Sequence, residues 1–250
     1  MRQNLKHKLK FSDGIALYIG KGIVTNPHRH FALEIALSFD KPFEIRTTEK
    51  IYSDCKFAII QKDIEHQFIS SQDDYQVFIY IDPFHQLSDL IEKTFLSSDF
   101  VITNFPKLES FEFPTLQEWI ELETDKLAKT IFHILEQIID IELVANKTDL
   151  RIVKSIQHIN NNIHKSMSIS TIAKSAFLSE SRYAHLFKLE VGIPFRRYIL
   201  WQRMRKTIQS ILEGSSITSA CYDGGFSDIS HFNKAFQQMF GITPSAVLKG

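Results

Sequence analysis

Four side chains in the N-terminal half have the types and spacing of a metal or ligand site. His28, His30 and Glu34 follow Gly22 in the spacing G-x5-H-x-H-x3-E, and His66 comes about 30 residues later at the start of another apolar run. Three imidazoles and one carboxylate brought together by adjacent strands could bind Fe, Mn, Zn or Ni. The same side chains could instead line a pocket and contact an organic ligand, or bind backbone groups.

A second pattern, in the C-terminal half, could read nucleic acid. Residues 169–188 and 217–236 share the order short helix, turn, longer helix. In each unit a small residue is followed six positions later by a helix-capping serine: Ala173 and Ser179, then Cys221 and Ser227. A small residue lets two helices cross closely, and a helix that enters the major groove presents its N-terminal side chains to base edges. The pattern predicts a tandem helix-turn-helix.

The distribution of charge supports a division between these two patterns. The formal net charge is zero, but residues 1–150 contain 16 Lys+Arg and 24 Asp+Glu, whereas residues 151–250 contain 13 and 5. The halves therefore carry about −8 and +8, which indicates two domains with different partners. The basic half is a candidate for binding a polyanion such as nucleic acid. The alternative is that the two halves neutralise each other across an interface.

Composition excludes several protein classes. The 250 residues are 44% hydrophobic and 23% charged, as in ordinary globular proteins, and no apolar run is long enough for a membrane helix. Two distant cysteines, Cys55 and Cys221, exclude a disulfide scaffold and a four-cysteine zinc site. The basic start lacks a following apolar segment, so no secretory signal is expected. We expect a cytoplasmic protein without a membrane partner. Because no catalytic serine spacing such as G-x-S-x-G occurs, we expect no enzyme.

The elements that position the first pattern read as strands. Short apolar runs separated by turn residues fill residues 11–83 and predict a β-sandwich or barrel. Residues 86–98 predict one helix. Residues 99–114 contain two prolines and no clear period, and they are predicted to be a loop.

From residue 115 the period becomes helical. A seam of apolar residues with alternating steps of four and three continues to residue 141: Leu127, Ile131, Ile134, Ile138 and Ile141. Such a seam is typical of a dimerisation helix, although an amphipathic helix packed on its own β-domain has the same pattern. Residues 146–149 are a plausible linker. Beyond residue 150 helices are predicted throughout, with caps at residues such as Asp149, Ser168, Ser179, Ser216 and Asp228.

The second helix-turn-helix unit resembles the signature of AraC/XylS-family transcription regulators. Residues 225–236 and 240–245 carry the resemblance, and residues 187–192 also fit it. It covers about residues 150–250. The resemblance implies a seven-helix reader that inserts helices 180–190 and 228–239 into successive major-groove segments. The family's base-facing or neighbouring positions fall here on Ser181, Arg182, Ala184, His185, Ile229, Ser230, His231 and Lys234.

This chain departs from the family pattern at three places. Phe177 occupies a turn position where helix-turn-helix units often have Gly. Val247 and Leu248 replace the Tyr-Arg that is common near the family's C-terminus, which puts the packing of the final helix in doubt. Cys221 stands where the family usually has Ala, and we expect it to be a small buried residue rather than a redox sensor.

The first pattern resembles the metal motif of cupin β-barrels. The match is incomplete, because no glycine lies near Lys41 and residues 63–65 read Asp-Ile-Glu where Pro-x-Gly usually precedes the second histidine. Sensor domains of AraC-family regulators share this barrel and often keep an H-x-H stretch without a metal. We therefore expect His28, His30, Glu34 and His66 to serve a ligand pocket or the structure, with no metal and no cofactor.

Together these features predict an α+β protein with a cupin-like β-barrel, dimerisation helices and an all-α tandem helix-turn-helix domain. The predicted domains are residues 1–110 for effector binding, 111–149 for dimerisation and linkage, and 150–250 for DNA binding. The predicted function is sequence-specific regulation of transcription, with double-stranded DNA, a second copy of the chain and a small-molecule effector as partners. RNA polymerase is a further candidate partner. Two alternatives remain: a metal-dependent cupin enzyme with an appended DNA domain, and a constitutive DNA binder whose barrel only dimerises.

Overall fold

A computed structural model describes residues 7–12, 14–94, 101–103, 105, 111–138 and 148–248. The chain divides into two compact units, one on each side of residues 139–147. The first unit is built on antiparallel sheets and the second is helical. This arrangement confirms the predicted α+β class. The predicted domain boundaries at residues 110 and 149 stay predictions.

The first unit contains two antiparallel sheets. The described part of this unit contains nine strands: β1 (His7–Ser12), β2 (Ile15–Lys21), β3 (Leu33–Ser38), β4 (Phe43–Thr47), β5 (Ile51–Cys55), β6 (Phe57–Ile60), β7 (His66–Ile69), β8 (Tyr75–Ile81) and β9 (Val101–Ile102). The larger sheet has the order β1-β2-β8-β3-β6-β9, and the smaller one has the order β5-β4-β7. Strand β9 lies inside the stretch predicted to be loop, so that prediction was wrong at residues 101–102.

The larger sheet buries both of its faces, and alternation decides which side chains go to each. Odd-numbered residues of β2, β3 and β8 pack into one core with the helices of this unit, among them Leu17, Ile35 and Ile79. Even-numbered residues point to the opposite face because successive side chains alternate across a strand. Glu34 lies on that second face, where the rings of Phe78 and Phe68, from the two sheets, approach to 4.7 Å. The space between the sheets is therefore aromatic, with one buried carboxylate.

Helices cover the first face of the sheet. They are α1 (Gln86–Thr94), α2 (Leu116–Glu121) and α3 (Leu127–Ile138), with a 3-10 turn at Thr124–Lys126. The helical stretch predicted from residue 115 is thus divided before α3, because the chain leaves the helical conformation at Leu122 and Glu123. Lys8 and Lys10 of β1 donate hydrogen bonds to the carbonyl of Ile120, which has no partner within its own helix end.

The apolar seam of α3 is buried in its own unit. Leu127, Ile131, Ile134 and Ile138 are each at most 4% exposed and belong to the same core as the sheet. Burying an Ile or Leu side chain contributes about 1.5–3 kcal/mol, so this packing alone accounts for the pattern. Of the two alternatives that the seam left open, the described residues follow the second. Ile141 lies outside the described residues.

Seven helices form the second unit: α4 (Leu150–Asn161), α5 (Ile169–Ser175), α6 (Glu180–Val191), α7 (Phe195–Leu212), α8 (Ile217–Asp223), α9 (Ile229–Phe240) and α10 (Pro244–Leu248). The side chains of five predicted residues cap α4, α5, α6, α8 and α9: Asp149, Ser168, Ser179, Ser216 and Asp228. The prediction of Ser227 as a cap was wrong, because its hydroxyl donates to the Asp228 carboxylate instead. Helices α6 and α9 end at Gly192 and Gly241 in the left-handed conformation that favours glycine. Among the described helices, none combines the length and apolar character that crossing a membrane requires.

The first helix-turn-helix turn contains a strained residue. Phe177 has φ 56° and is 95% exposed, so its side chain gains little from packing while its backbone occupies a region unfavourable for residues with a Cβ. In the turn of the second helix-turn-helix, Gly225 occupies the corresponding left-handed position, with φ 82°. Val247 is buried in α10, so a small apolar residue fills the position where the family has Tyr.

Candidate nucleic-acid interface and histidine cluster

The two predicted reading helices expose the residues that the sequence singled out. On α6, Ser181, Arg182 and His185 are exposed and Ala184 is half-buried. On α9, the four predicted contact residues are all exposed: Ile229, Ser230, His231 and Lys234. The opposite sides of these helices bury the aromatic residues Tyr183, Phe187, Phe232 and Phe236. Aromatic packing therefore fixes the rotation of each helix and leaves the predicted face free.

The start of α9 is organised by its capping residue. The Asp228 carboxylate accepts the backbone N–H of His231 at 2.7 Å and a hydrogen bond from the Ser227 hydroxyl at 2.9 Å. These hydrogen bonds hold the pKa of Asp228 below its usual range. The His231 ring stands edge-on to Phe226 at 5.2 Å, and its Nδ1 lies 3.2 Å from the Ser227 hydroxyl. These contacts thus fix the orientation of the His231 ring before any partner binds.

The start of α6 has a neutral cap instead. The Ser179 hydroxyl accepts the backbone N–H of Arg182, and no hydrogen bond or ion pair of the Arg182 guanidinium occurs among the described residues. Arginine binds phosphate oxygens with several donors at once, so this position suits a backbone contact. His185 lies on the next turn and can donate or accept a hydrogen bond at a base edge.

The first unit brings together the four side chains of the N-terminal motif, which we call the histidine cluster: His28, His30, Glu34 and His66. All four are at most 4% exposed, and one potential ligand atom from each lies within 4.8 Å of the others. Backbone pairing fixes two members directly, because His28 and His66 exchange N–H to carbonyl hydrogen bonds at 2.9 Å. His66 begins β7 and Glu34 lies in β3, so both sheets contribute to the cluster.

A short contact links two members of the cluster. Nε2 of His30 lies 2.6 Å from Oε2 of Glu34, and Nε2 of His66 lies 3.8 Å from the same oxygen. Burial by itself would raise the pKa of Glu34, but the hydrogen bond from His30 and the interaction with His66 outweigh it and hold that pKa well below its usual range. Burial, helped by the nearby rings of His66 and His30, lowers the pKa of His28.

Two features of the cluster had no counterpart in the motif. The ring of Tyr80 stands edge-on to His30 at 5.3 Å, and its position in β8, opposite Glu34, could have been derived only from the strand register. The backbone carbonyls of Asn26, Ala32 and Ile64 each accept a hydrogen bond from a ring nitrogen of one histidine. A backbone carbonyl leaves no trace in the sequence, so no pattern could have identified these contacts.

Comparison with known proteins identifies the second unit. Residues 172–250 match the family described as a helix-turn-helix domain. The chain is 26% identical over 196 residues to the probable transcriptional regulator LumQ of Photobacterium leiognathi, covering 74% of this chain and 76% of that one. It is 30% identical over 110 residues to the regulatory protein PocR of Salmonella typhimurium, of which it spans only 36%. These relatives are named as regulators rather than enzymes.

This chain therefore contains an AraC-type helix-turn-helix domain, and it is similar to proteins named as transcription regulators. Its two-unit fold is also that of ToxT from Vibrio cholerae, with a TM-score of 0.60 over 98% of this chain and 97% of ToxT, at 13% identity. Because the identity is low, this likeness concerns the fold alone. The roles of the eight exposed or half-buried residues of α6 and α9, and of the histidine cluster, stay predictions.

Proposed function

We propose that this regulator binds duplex DNA through α6 and α9, and that a small molecule bound in the first unit changes that binding. The observation that carries the proposal is the exposure of seven of the eight predicted contact residues on two helices of a half with 13 basic and 5 acidic residues. A basic surface attracts phosphates, whereas the outward side chains of two helices supply sequence discrimination.

The side chains divide by chemistry. Ser230, His231, Lys234 and His185 can form hydrogen bonds with base edges, and Arg182 suits a phosphate. Ala184 and Ile229 can make only apolar contacts, for which the thymine methyl group is the partner in the major groove. We therefore propose a site that contains thymine where these two residues meet the DNA.

The proposal of an effector rests on the first unit and on a relative. ToxT from Vibrio cholerae has been solved with an unsaturated fatty acid bound and with (E)-4-(8-methylnaphthalen-1-yl)but-3-enoic acid bound. In this chain, Phe43, Phe68 and Phe78 form a group of ring contacts at 4.7 Å between the sheets. A ligand that prefers one arrangement of the regulator shifts the population toward it, which is sufficient for control of DNA binding.

A homodimer and a contact with RNA polymerase complete the proposal. Because the core of the first unit uses the apolar seam of α3, a dimer would form through other surfaces, such as the exposed side of α3 that contains Lys129, His133 and Glu136. Regulation also requires access to DNA, and we place the regulator in the cytoplasm for that reason.

The DNA-binding proposal is tested by selecting bound duplexes from a random pool with the full chain, at about 50 mM and about 200 mM salt. We expect a motif that survives the higher salt, with two half-sites if the chain dimerises. Arg182→Ala should weaken binding to all recovered sequences and reduce the salt slope by about 1, because one phosphate contact is lost. Lys56→Ala removes an exposed charge from the first unit and serves as the control.

Two outcomes would contradict this proposal. Binding without a recovered motif, lost at the higher salt, would mean phosphate attraction only. An equal effect of Arg182→Ala and Lys56→Ala would mean that α6 does not contact DNA. The effector is tested separately: a long-chain unsaturated fatty acid should raise the melting temperature of the full chain if it binds the folded state. Absence of that shift would exclude this class of effector.

A further inference from the structure

The three histidine rings of the histidine cluster are all held by the same kind of hydrogen bond. Nδ1 of His28 lies 2.9 Å from the carbonyl oxygen of Asn26, Nδ1 of His30 lies 2.9 Å from that of Ala32, and Nδ1 of His66 lies 3.0 Å from that of Ile64. A carbonyl oxygen only accepts, so each Nδ1 must carry the proton and donate it. In a neutral ring, Nε2 is then unprotonated and carries a lone pair that can accept a hydrogen bond or bind a metal.

The three Nε2 atoms therefore present acceptors toward one another and toward a carboxylate. Between Nε2 of His30 and Oε2 of Glu34, 2.6 Å apart, a shared proton or a metal cation is required, since two lone pairs at that distance repel. Nε2 of His66 is buried and has no hydrogen-bond partner among the residues that the structure describes. Either an extra proton on His30 or a cation bound by all four groups satisfies the first contact, but only the cation also gives His66 a partner.

We propose that the histidine cluster binds one divalent transition-metal ion of the Zn, Fe, Mn or Ni class. Three imidazole nitrogens and one carboxylate oxygen suit these ions, whereas Ca²⁺ and Mg²⁺ prefer sites made of oxygen alone. Donation of the second ring nitrogen to a backbone carbonyl is the usual support for histidines that bind a metal. All three rings of the cluster have this support.

The spacing of the donors fits an ion after small movements. Ligand atoms about 2.1 Å from a metal are about 3–4 Å apart, and the donors here lie within 4.8 Å of one another. Side-chain shifts of less than about 1 Å would close the site. The strand pairing of His28 with His66 keeps two ligands in place, so the site is largely formed in advance.

The charge of the surroundings favours a cation. Histidines bind a metal in the neutral form, and with three neutral imidazoles and the Glu34 carboxylate the donor set would have a net charge of −1. All four side chains are almost completely removed from water. A buried carboxylate without a positive partner is strongly unfavourable. The inference goes beyond the proposed function, because metal binding in the first unit depends on neither DNA nor another ligand.

The test uses the full chain without a polyhistidine tag, stripped with a chelator and then titrated with Zn²⁺ by calorimetry and with Co²⁺ by visible absorption. We expect one equivalent per chain, and a Co²⁺ spectrum typical of nitrogen and oxygen ligands. Glu34→Gln keeps the size of the side chain and should weaken Zn²⁺ binding at least about 100-fold, as should His66→Ala. His164→Ala removes an exposed histidine of the second unit and should leave Zn²⁺ binding unchanged.

Several results would overturn the proposal. Less than about a tenth of an equivalent of tightly bound Zn²⁺ would leave the proton-bridged pair as the correct description. Equal Zn²⁺ binding by the parent chain, Glu34→Gln and His66→Ala would place the metal on exposed histidines. If a variant does not fold, metal protection of the parent chain decides instead: the melting temperature of the stripped protein should rise with stoichiometric Zn²⁺, and no rise would refute the site.

Discussion

Nε2 of His30 lies 2.6 Å from Oε2 of Glu34, and both side chains are at most 1% exposed. In the metal-free chain this contact is a buried ion pair, and its two members depend on each other. Removing one member of a buried pair costs about 3–5 kcal/mol because the other charge stays behind, whereas replacing both with apolar groups costs much less.

His30→Ala should therefore lower the free energy of unfolding of the chelator-treated protein by about 3 kcal/mol or more. The double variant His30→Leu with Glu34→Leu should be more stable than His30→Ala, since it leaves no buried charge. Urea denaturation, followed through the unfolding transition of the first unit, measures the free energy of unfolding of both variants. A double variant that is less stable than the single one would mean that packing, and not charge, dominates at the cluster.

His231→Ala should relax sequence discrimination at one base pair of the selected site. The ring is held by Phe226 and the Ser227 hydroxyl, so it is oriented before DNA arrives, and a well-placed base contact contributes about 1–3 kcal/mol of discrimination. Competition between the best site and single-base variants measures the change. His164→Ala, at an exposed position before α5, is the control. Uniform weakening across all sites would instead indicate a phosphate contact.

Phe177→Gly should stabilise the second unit by up to about 1 kcal/mol. The left-handed backbone of Phe177 costs about 1–2 kcal/mol, part of which glycine loses again through its greater freedom in the unfolded chain. Phe177→Ala keeps the Cβ and therefore the strain, so it should not stabilise. Chemical denaturation of both variants provides the comparison. Equal effects would show that the exposed ring, rather than the backbone, is responsible.

Gly225→Ala should destabilise the second unit by about 2 kcal/mol or more. A Cβ at this position would lie 2.6 Å from the carbonyl oxygen of Ile163, in addition to the strain of φ 82°. Gly214→Ala is a matched control: it has φ 96°, but a Cβ there would meet no atom within 4 Å. Its cost should be confined to about 1–2 kcal/mol of backbone strain. Similar losses in the two variants would rule out the steric argument.

Asp228 should contribute to stability only above acidic pH. Because the hydrogen bond from the His231 N–H lowers the pKa of this carboxyl below its ordinary value of 3.8, the folded state favours the ionised form. The contribution is complete above the unfolded value and disappears as the pH falls through the folded one. Melting temperatures of the parent chain and Asp228→Asn should therefore differ at neutral pH and converge as the pH falls below the ordinary value and through the lowered one. A constant difference would exclude ionisation as the cause.

Helix ends were predictable from the sequence because their chemistry is local. A serine or aspartate that accepts the N–H of a residue two or three positions ahead needs no distant partner, and Ser168, Ser179 and Ser216 all do so. Strand β9 was missed for the opposite reason. Two residues are too few to show a period, and Val101 is a strand residue only because Ile60 lies beside it.

Features that depend on distant contacts could not be read in the same way. The seam of α3 has the same spacing whether it faces a second chain or the sheet of its own unit, and the sheet decides. The motif of the cluster indicated which residues could meet, and the structure brings all four together. The motif gave no information about the carbonyls that orient the rings. A site without metal was predicted because the cupin motif is incomplete near Lys41 and at residues 63–65.

Helices α6 and α9 begin with unlike side chains. One presents Ser181, Arg182 and His185, and the other presents Ile229, Ser230 and His231, under caps of different charge. If α6 and α9 bind DNA as proposed, the duplex segment that one protomer recognises is therefore asymmetric and has a direction. Inverting such a segment in a promoter would not restore the same complex. It would turn the protomer around and direct its other flank toward the start of transcription.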